Sequence, residues 1–194
     1  MTRTAYTSDE IVDLIGDIFL RRGADSYLGE QVTMSEHMLQ AALLAEREGA
    51  EDALVAAALL HDIGHYLSEF GENSFAHGID NHHDAAGARV LEGNFPPLVV
   101  ECVRLHVAAK RYLCATDPTY FGRLSPASVH TLSLQGGPMD AREVAVFAAN
   151  PFHLPAIRVR IWDEGSKIAG HPTPDFAHYE PLLRRVAGGS TAPG

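Results

Sequence analysis

Residues 51–63 read EDALVAAALLHDI, and no polar side chain interrupts the run from Ala53 to Leu60. A helix that is apolar all round is stable only where other helices cover every face. This segment therefore dictates a bundle built around one buried central helix. His61 and Asp62 follow directly, and Gly64 then ends or loosens the helix. Burying an imidazole and a carboxylate without a strong partner costs on the order of several kcal/mol. A metal ion is such a partner.

Helical periodicity runs through almost the whole chain. Residues 8–22 repeat apolar positions at three and four behind a Ser8 cap. Residues 33–48 open on a Thr33–Glu36 capping box and stop at Gly49. Residues 66–81 are polar and contain glycines, and read as a loop. Further helices are expected over 82–92, from Pro96-Pro97 to Arg111, and over 125–134, 140–149 and 155–168. Asp117-Pro118 and Gly136-Gly137-Pro138 read as turns. The expected fold class is all-α: a single helical domain over residues 1–187, with residues 188–194 as a disordered tail.

At 194 residues such a bundle can bury a full core without staples. The N-terminus carries early acids and no signal-peptide apolar core, and no apolar run reaches membrane-spanning length. A cytoplasmic protein without a membrane partner is expected. The net charge of −10 disfavours a nucleic-acid partner, because phosphate binding draws on clustered cations. Nothing marks an obligatory protein partner. Cys102 and Cys114 form no spaced motif and read as buried structural thiols.

Eleven histidines are more than composition needs, so spacing has to separate ligands from fillers. Element ends offer His37, the pair His61-Asp62, His83, His106 and Asp163. His82 competes with His83, and spacing does not choose between them. His77, His130, His153, His171 and His178 read as ordinary satisfied histidines. Four imidazoles and two carboxylates are too many for one catalytic metal with an open position, and suit two metals sharing a carboxylate. Asp62 is the natural bridge, since a carboxylate has two oxygens and an imidazole cannot bridge through one nitrogen. Adjacent helical residues point about 100° apart, so His61 and Asp62 serve one cation only if the helix ends there. With no thiolate among these donors, the set tolerates iron, manganese or zinc.

Lys110 stands four residues after His106, and His65 four after His61, so each shares a helical face with a ligand. Lys110 makes sense there as a point charge for an anion, with His65 as a second donor. Arg111, Arg158 and Arg160 either add to a positive local field or are solvated and core-lining arginines.

AALLHDIGH (57–65), with His37 upstream and Asp163 downstream, resembles the signature of the HD-domain superfamily. The segments SYLGE (26–30), EHMLQ (36–40), ALLHDIGHY (58–66), HVAAKRYL (106–113), LQGGPMD (134–140) and RIWDE (160–164) are similar, in order, to the HD-domain organophosphonate oxygenases. These di-iron enzymes cleave a carbon–phosphorus bond with dioxygen. The resemblance implies a ferrous/ferric iron pair with O₂ as co-substrate. One iron would take His37, His61, Asp62 and Asp163; the other Asp62, His83 and His106, which selects His83 over His82. It implies that Tyr27 caps an iron at rest and moves when substrate arrives, and that Glu30 then faces the substrate's nitrogen. It further implies that His65, Lys110, Ser128 and Gln135 hold the phosphonate. The expected substrate is a small 1-hydroxyphosphonate with an amino or trimethylammonio group at carbon 2. Phosphate would leave, with glycine or glycine betaine as the other product. Tyr27, Tyr66, Phe75 and Tyr112 are the aromatic candidates for a quaternary nitrogen. The rival is a binuclear HD phosphohydrolase acting on a phosphate ester or nucleotide, with the same six ligands and no need of Tyr27.

Overall fold

The computed structural model describes residues 6–66 and 82–189. Among them are the helices α1 (Ser8–Arg22), α2 (Met34–Arg47), α3 (Asp52–Leu60), α4 (His83–Leu91), α5 (Pro97–Thr116), α6 (Pro126–Leu134), α7 (Ala141–Ala148), α8 (His153–Gly165) and α9 (Phe176–Gly188). Short 3₁₀ turns lie at Ile63–Tyr66 and Phe121–Arg123. The fold is all-α. A lone antiparallel bridge, Ser26 to Thr33, is the sole β pairing among the described residues, and no described helix is long and apolar enough to cross a membrane. The loop expected over 66–81 falls, past Tyr66, outside the described residues. So do the candidates Phe75 and His77 and, past Gly189, the tail expected over 188–194, whose first residue, Gly188, instead ends α9.

Every residue of α3 from Leu54 to Leu60 is buried. α2, α5, α8 and α9 pack around it, as an all-apolar helix requires. Each fully buried leucine here contributes about 1.5–3 kcal/mol of transfer free energy. α3 stops at Leu60 with His61 as its C-cap, two to three residues earlier than the apolar run suggested. Gly64 does not end this helix. A Cβ on Gly64 would stand 1.9 Å from the His83 carbonyl oxygen and 2.7 Å from the Gly87 amide nitrogen. Glycine is what lets the turn after Asp62 lie directly on α4.

Other details differ from expectation. The cap of α1 is Thr7, not Ser8, in a capping box with Glu10. α5 runs one turn past Arg111 and ends at Asp117, where the following Pro118 disfavours helix. α9 is not among the expected helices, and Pro181 lies inside it. Asp175 caps it, and Tyr179, Leu183 and Val186 bury its inner face. It closes the bundle against α1, where Phe176 meets Phe19 at 4.7 Å between ring centroids. After α8, the Gln40 side chain pairs with both backbone groups of Ile168, at 2.9 and 3.1 Å. That staple fixes the C-terminal end of α8 against α2.

Candidate metal centre

Five elements deliver six polar side chains to one buried point. His37 lies in the first turn of α2, His61 caps α3, and Asp62 follows it. His83 opens α4, His106 faces inward from the middle of α5, and Asp163 sits near the end of α8. All six are buried. Asp62 stands at the middle. Its Oδ2 lies 3.5 Å from His37 Nε2 and 3.4 Å from His61 Nε2. Its Oδ1 lies 3.3 Å from both His83 Nε2 and His106 Nε2. Asp163 Oδ1 joins the first group, 3.4 Å from His37 Nε2. One carboxylate therefore turns one oxygen to each of two imidazole pairs.

Backbone tethers set the tautomers. His61 Nδ1 donates to the Ala58 carbonyl at 2.8 Å, and His106 Nδ1 to the Val103 carbonyl at 2.7 Å. His37 Nδ1 lies 3.0 Å from the Ser166 carbonyl oxygen. A carbonyl only accepts, so these rings carry hydrogen on Nδ1 and turn Nε2 toward the centre, where it can hold either a proton or a metal ion. Yet His37 Nε2 and His61 Nε2 are 3.0 Å apart, and His83 Nε2 and His106 Nε2 are 3.1 Å apart. In the first pair both Nδ1 atoms bear hydrogen, so two bare Nε2 atoms at that distance would repel, and a proton or a metal ion must lie between them. Two donors about 2.1 Å from a shared metal are spaced by roughly 3 Å. Asp62 Oδ2 and Asp163 Oδ1 are also buried with no hydrogen-bond partner among the described residues. The donors fit a metal centre of two adjoining sites, His37-His61-Asp62-Asp163 and Asp62-His83-His106.

The electrostatics agree. Burial alone would raise the Asp62 carboxyl, but His61 and His65 outweigh it and hold its pKa well below the usual range. Burial likewise opposes the Asp163 charge, and Arg160 overrides it. Both stay anionic, as ligands must. Burial disfavours a charge on His61, yet Asp62 and Asp163 lift its pKa to about 9. The field that holds a proton there equally attracts a metal cation.

A cleft opens beside the centre. Its walls include Tyr27, Leu28, His65, Lys110, Ser128, Thr131, Gln135, Arg160 and Lys167. Tyr27 is buried with its ring stacked on His37 at 4.0 Å. It sits on a tight turn in which the Glu30 amide donates to the Tyr27 carbonyl at 2.7 Å, with Leu28 and Gly29 both at positive φ. A leucine at φ 46 costs about 1–2 kcal/mol. Lys110 is only 4% exposed and donates to Thr131 Oγ1 at 2.8 Å. Burial, reinforced by Arg160, pulls its pKa down to about 7. Ser128 and Gln135 reach the cleft from α6 and its C-cap, and Gln135 Oε1 is buried without a hydrogen-bond partner among the described residues. Glu30 stands outside the lining, half-buried, and its Oε1 also lacks a hydrogen-bond partner among those residues.

The structure places His82 outside, exposed and at positive φ, and His83 inside. Of the aromatic candidates, Tyr27 lines the cleft. Tyr66 packs under Arg22, and Tyr112 packs on Phe147 in a separate small core. Arg158 lies over Trp162 near the surface. Of the three arginines that pattern reading left undecided, Arg160 is the one that reaches the cleft. It is buried, pairs with Asp163 Oδ2 and Glu164, and donates from Nε to the Tyr120 hydroxyl at 2.8 Å. It occupies Oδ2 and leaves Asp163 Oδ1 facing the histidines without a hydrogen bond among the described residues. Lys167, which the sequence did not single out, adds a third cation, donating to Ser128 Oγ at 2.7 Å and Glu164 at 3.0 Å.

The chain matches the HD domain family over residues 34–163, and it belongs to that family. The matched span takes in all six candidate ligands. The chain is 56% identical over 176 residues to the 1-hydroxy-2-(trimethylamino)ethyl phosphonate dioxygenase (glycine-betaine-forming) of Leisingera caerulea, covering 91% of this chain and 90% of that protein. It is 45% identical over 155 residues to the hydroxymethylphosphonate dioxygenase of Gimesia maris, covering 79% and 77%.

Proposed function

We propose that this chain is a dioxygenase that cleaves the carbon–phosphorus bond of 1-hydroxy-2-(trimethylamino)ethyl phosphonate, forming phosphate and glycine betaine. The observation that carries the reading is Asp62, which turns one oxygen to each of two histidine pairs beside a buried lysine. The likeness to the Leisingera caerulea enzyme supports the choice of substrate. The reaction balances with one O₂ per phosphate: both electron pairs lost, from the C–H and C–P bonds of carbon 1, go to dioxygen.

Two iron ions held by His37, His61, Asp62 and Asp163 and by Asp62, His83 and His106 would supply redox capacity, Lewis acidity and a template. The surrounding residues bind and orient. Lys110 and His65 offer donors to the phosphonate oxygens, and Ser128 and Gln135 complete that wall. Lys110, Arg160 and Lys167 gather the cations of the cleft along one wall, in a chain whose net charge of −10 would repel a dianion elsewhere. Tyr27 covers the first site and shields it from solvent until substrate displaces it. Glu30, on the same turn, has a carboxylate oxygen without a hydrogen-bond partner among the described residues, and would move with Tyr27 from outside the cleft lining to face the quaternary nitrogen as a counter-charge.

The reading needs no nucleic-acid, membrane or protein partner. It places the enzyme in the cytoplasm, where free thiols such as Cys102 and Cys114 persist. The test is an aerobic assay of iron-loaded protein with this phosphonate, its primary-amine analogue and hydroxymethylphosphonate. One O₂ should be consumed per phosphate released, fastest with the trimethylammonio substrate. Phosphate release from an ester without oxygen uptake would establish the phosphohydrolase alternative instead.

A further inference from the structure

We infer that Arg111 is a positioning residue that aims Gln135 at the substrate phosphonate by strapping the glycine turn behind it; this rests on the function proposed above. Gln135 caps α6 at its C-terminal end. Two glycines follow in the left-handed region, Gly136 at φ 94 and Gly137 at φ 73. The Gly137 amide donates to the Leu132 carbonyl at 2.9 Å, which closes a Schellman turn. Two successive glycines would leave that turn with more conformational freedom than any other residues. Gln135 hangs on its first residue.

Arg111 removes the freedom. Its Nε donates to the Gly137 carbonyl at 2.8 Å. Its guanidinium lies beside Gly136, where a Cβ would stand 3.5 Å from Nη2. The Met139 amide donates to the Arg111 carbonyl at 3.2 Å. Nη2 meets both Glu143 oxygens, at 2.8 and 2.9 Å, and Glu143 in turn accepts from the Asp140 amide at 3.0 Å. One side chain of α5 thus grips the turn from Gly137 to Asp140 at both ends. Lys110, the preceding residue, points about 100° away and holds α6 one turn earlier through Thr131. Consecutive residues of α5 therefore fix both the cation and the amide of the anion wall. Glu143 is 41% exposed, so its pair with Arg111 contributes little to stability. The strap accounts for the Arg of HVAAKRYL and the Gly-Gly of LQGGPMD, which the site itself does not use.

The test is anaerobic calorimetric titration of iron-loaded protein with 1-hydroxy-2-(trimethylamino)ethyl phosphonate, which reads Kd without turnover. Arg111→Ala should weaken binding about tenfold, the value of one well-aimed hydrogen bond. Metal content should match wild type. Arg111→Lys should lose nearly as much, because an ammonium does not span Gly137 and Glu143. In a Gln135→Ala background Arg111→Ala should add nothing. Additive losses, unchanged affinity, or full rescue by lysine would each overturn the inference. If Arg111→Ala does not fold, Glu143→Gln loosens only the outer anchor, and its loss must also vanish in the Gln135→Ala background. A wild type that does not bind the phosphonate would overturn the functional reading, and this inference with it.

Discussion

Replacing Gly64 with alanine tests how the second metal site is assembled. The new Cβ would lie 1.9 Å from the His83 carbonyl oxygen, against 3.4 Å for the closest ordinary contact. Relief requires the backbone of His83 to retreat by about 1.5 Å, since both clashing groups are main chain. A metal site tolerates displacements of only about 0.2 Å in its ligand distances. His83 Nε2, now 3.3 Å from Asp62 Oδ1, would move out of reach. The site then keeps His106 and one Asp62 oxygen. The other site, with ligands on α2, α3 and α8, keeps all four. Metal analysis of Gly64→Ala after iron loading should therefore give about one ion per chain where wild type gives about two. Thermal unfolding should fall by several degrees as α4 is pushed off the core. Two ions per chain with an unchanged melting temperature would refute this account of how His83 is placed.

Asp62→Asn removes the charge that both sites share, and metal content should fall well below one ion per chain. Full retention of one ion would remove Asp62 from the bridging role. Because burial and Arg160 hold Lys110 near pKa 7, the free enzyme loses this cation as pH rises through that value. A phosphonate binds the ammonium form, so Kd should be flat below about pH 7 and rise up to tenfold per unit above it. Lys110→Met should abolish that rise, and a flat wild-type profile to about pH 9 would count against Lys110 as the anion's partner. Arg160→Met removes the guanidinium partner of the buried Asp163 carboxylate, while Glu164 keeps Lys167. Urea unfolding of the metal-free protein should show a loss of about 3–5 kcal/mol, and a loss under about 1 would mean solvent already reaches the pair.

The legible parts of this chain are those governed by local rules. The all-round apolar run of α3, the Thr33–Glu36 box and the prolines at the start of α5 each carry their meaning in a few residues. Five of the six candidate ligands stand out as polar groups at the end or inner face of an apolar stretch; His83 was separated from His82 only by the resemblance to the HD-domain oxygenases. α9 is harder to read: Pro181 reads as a breaker, whereas the cap at Asp175 and the burial of Leu183 outweigh it. The Arg160–Glu164–Lys167 set was hidden for a different reason. Its three- and four-residue spacing is that of an ordinary solvated helix face. Only the docking of α6, with the Ser125 amide and the Ser128 hydroxyl both donating to Glu164, turns that face into a buried wall. The role of Gly64 was hidden because the helix it was expected to end had already ended.

Anomalous diffraction at the iron edge, on crystals of the anaerobically loaded protein, is the most direct check. Two peaks should flank the carboxylate of residue 62, one toward the imidazoles of 37 and 61 and the other toward those of 83 and 106. A solitary peak, with the rings of 83 and 106 turned away from it, would contradict the shared-carboxylate centre and the oxygenase built on it.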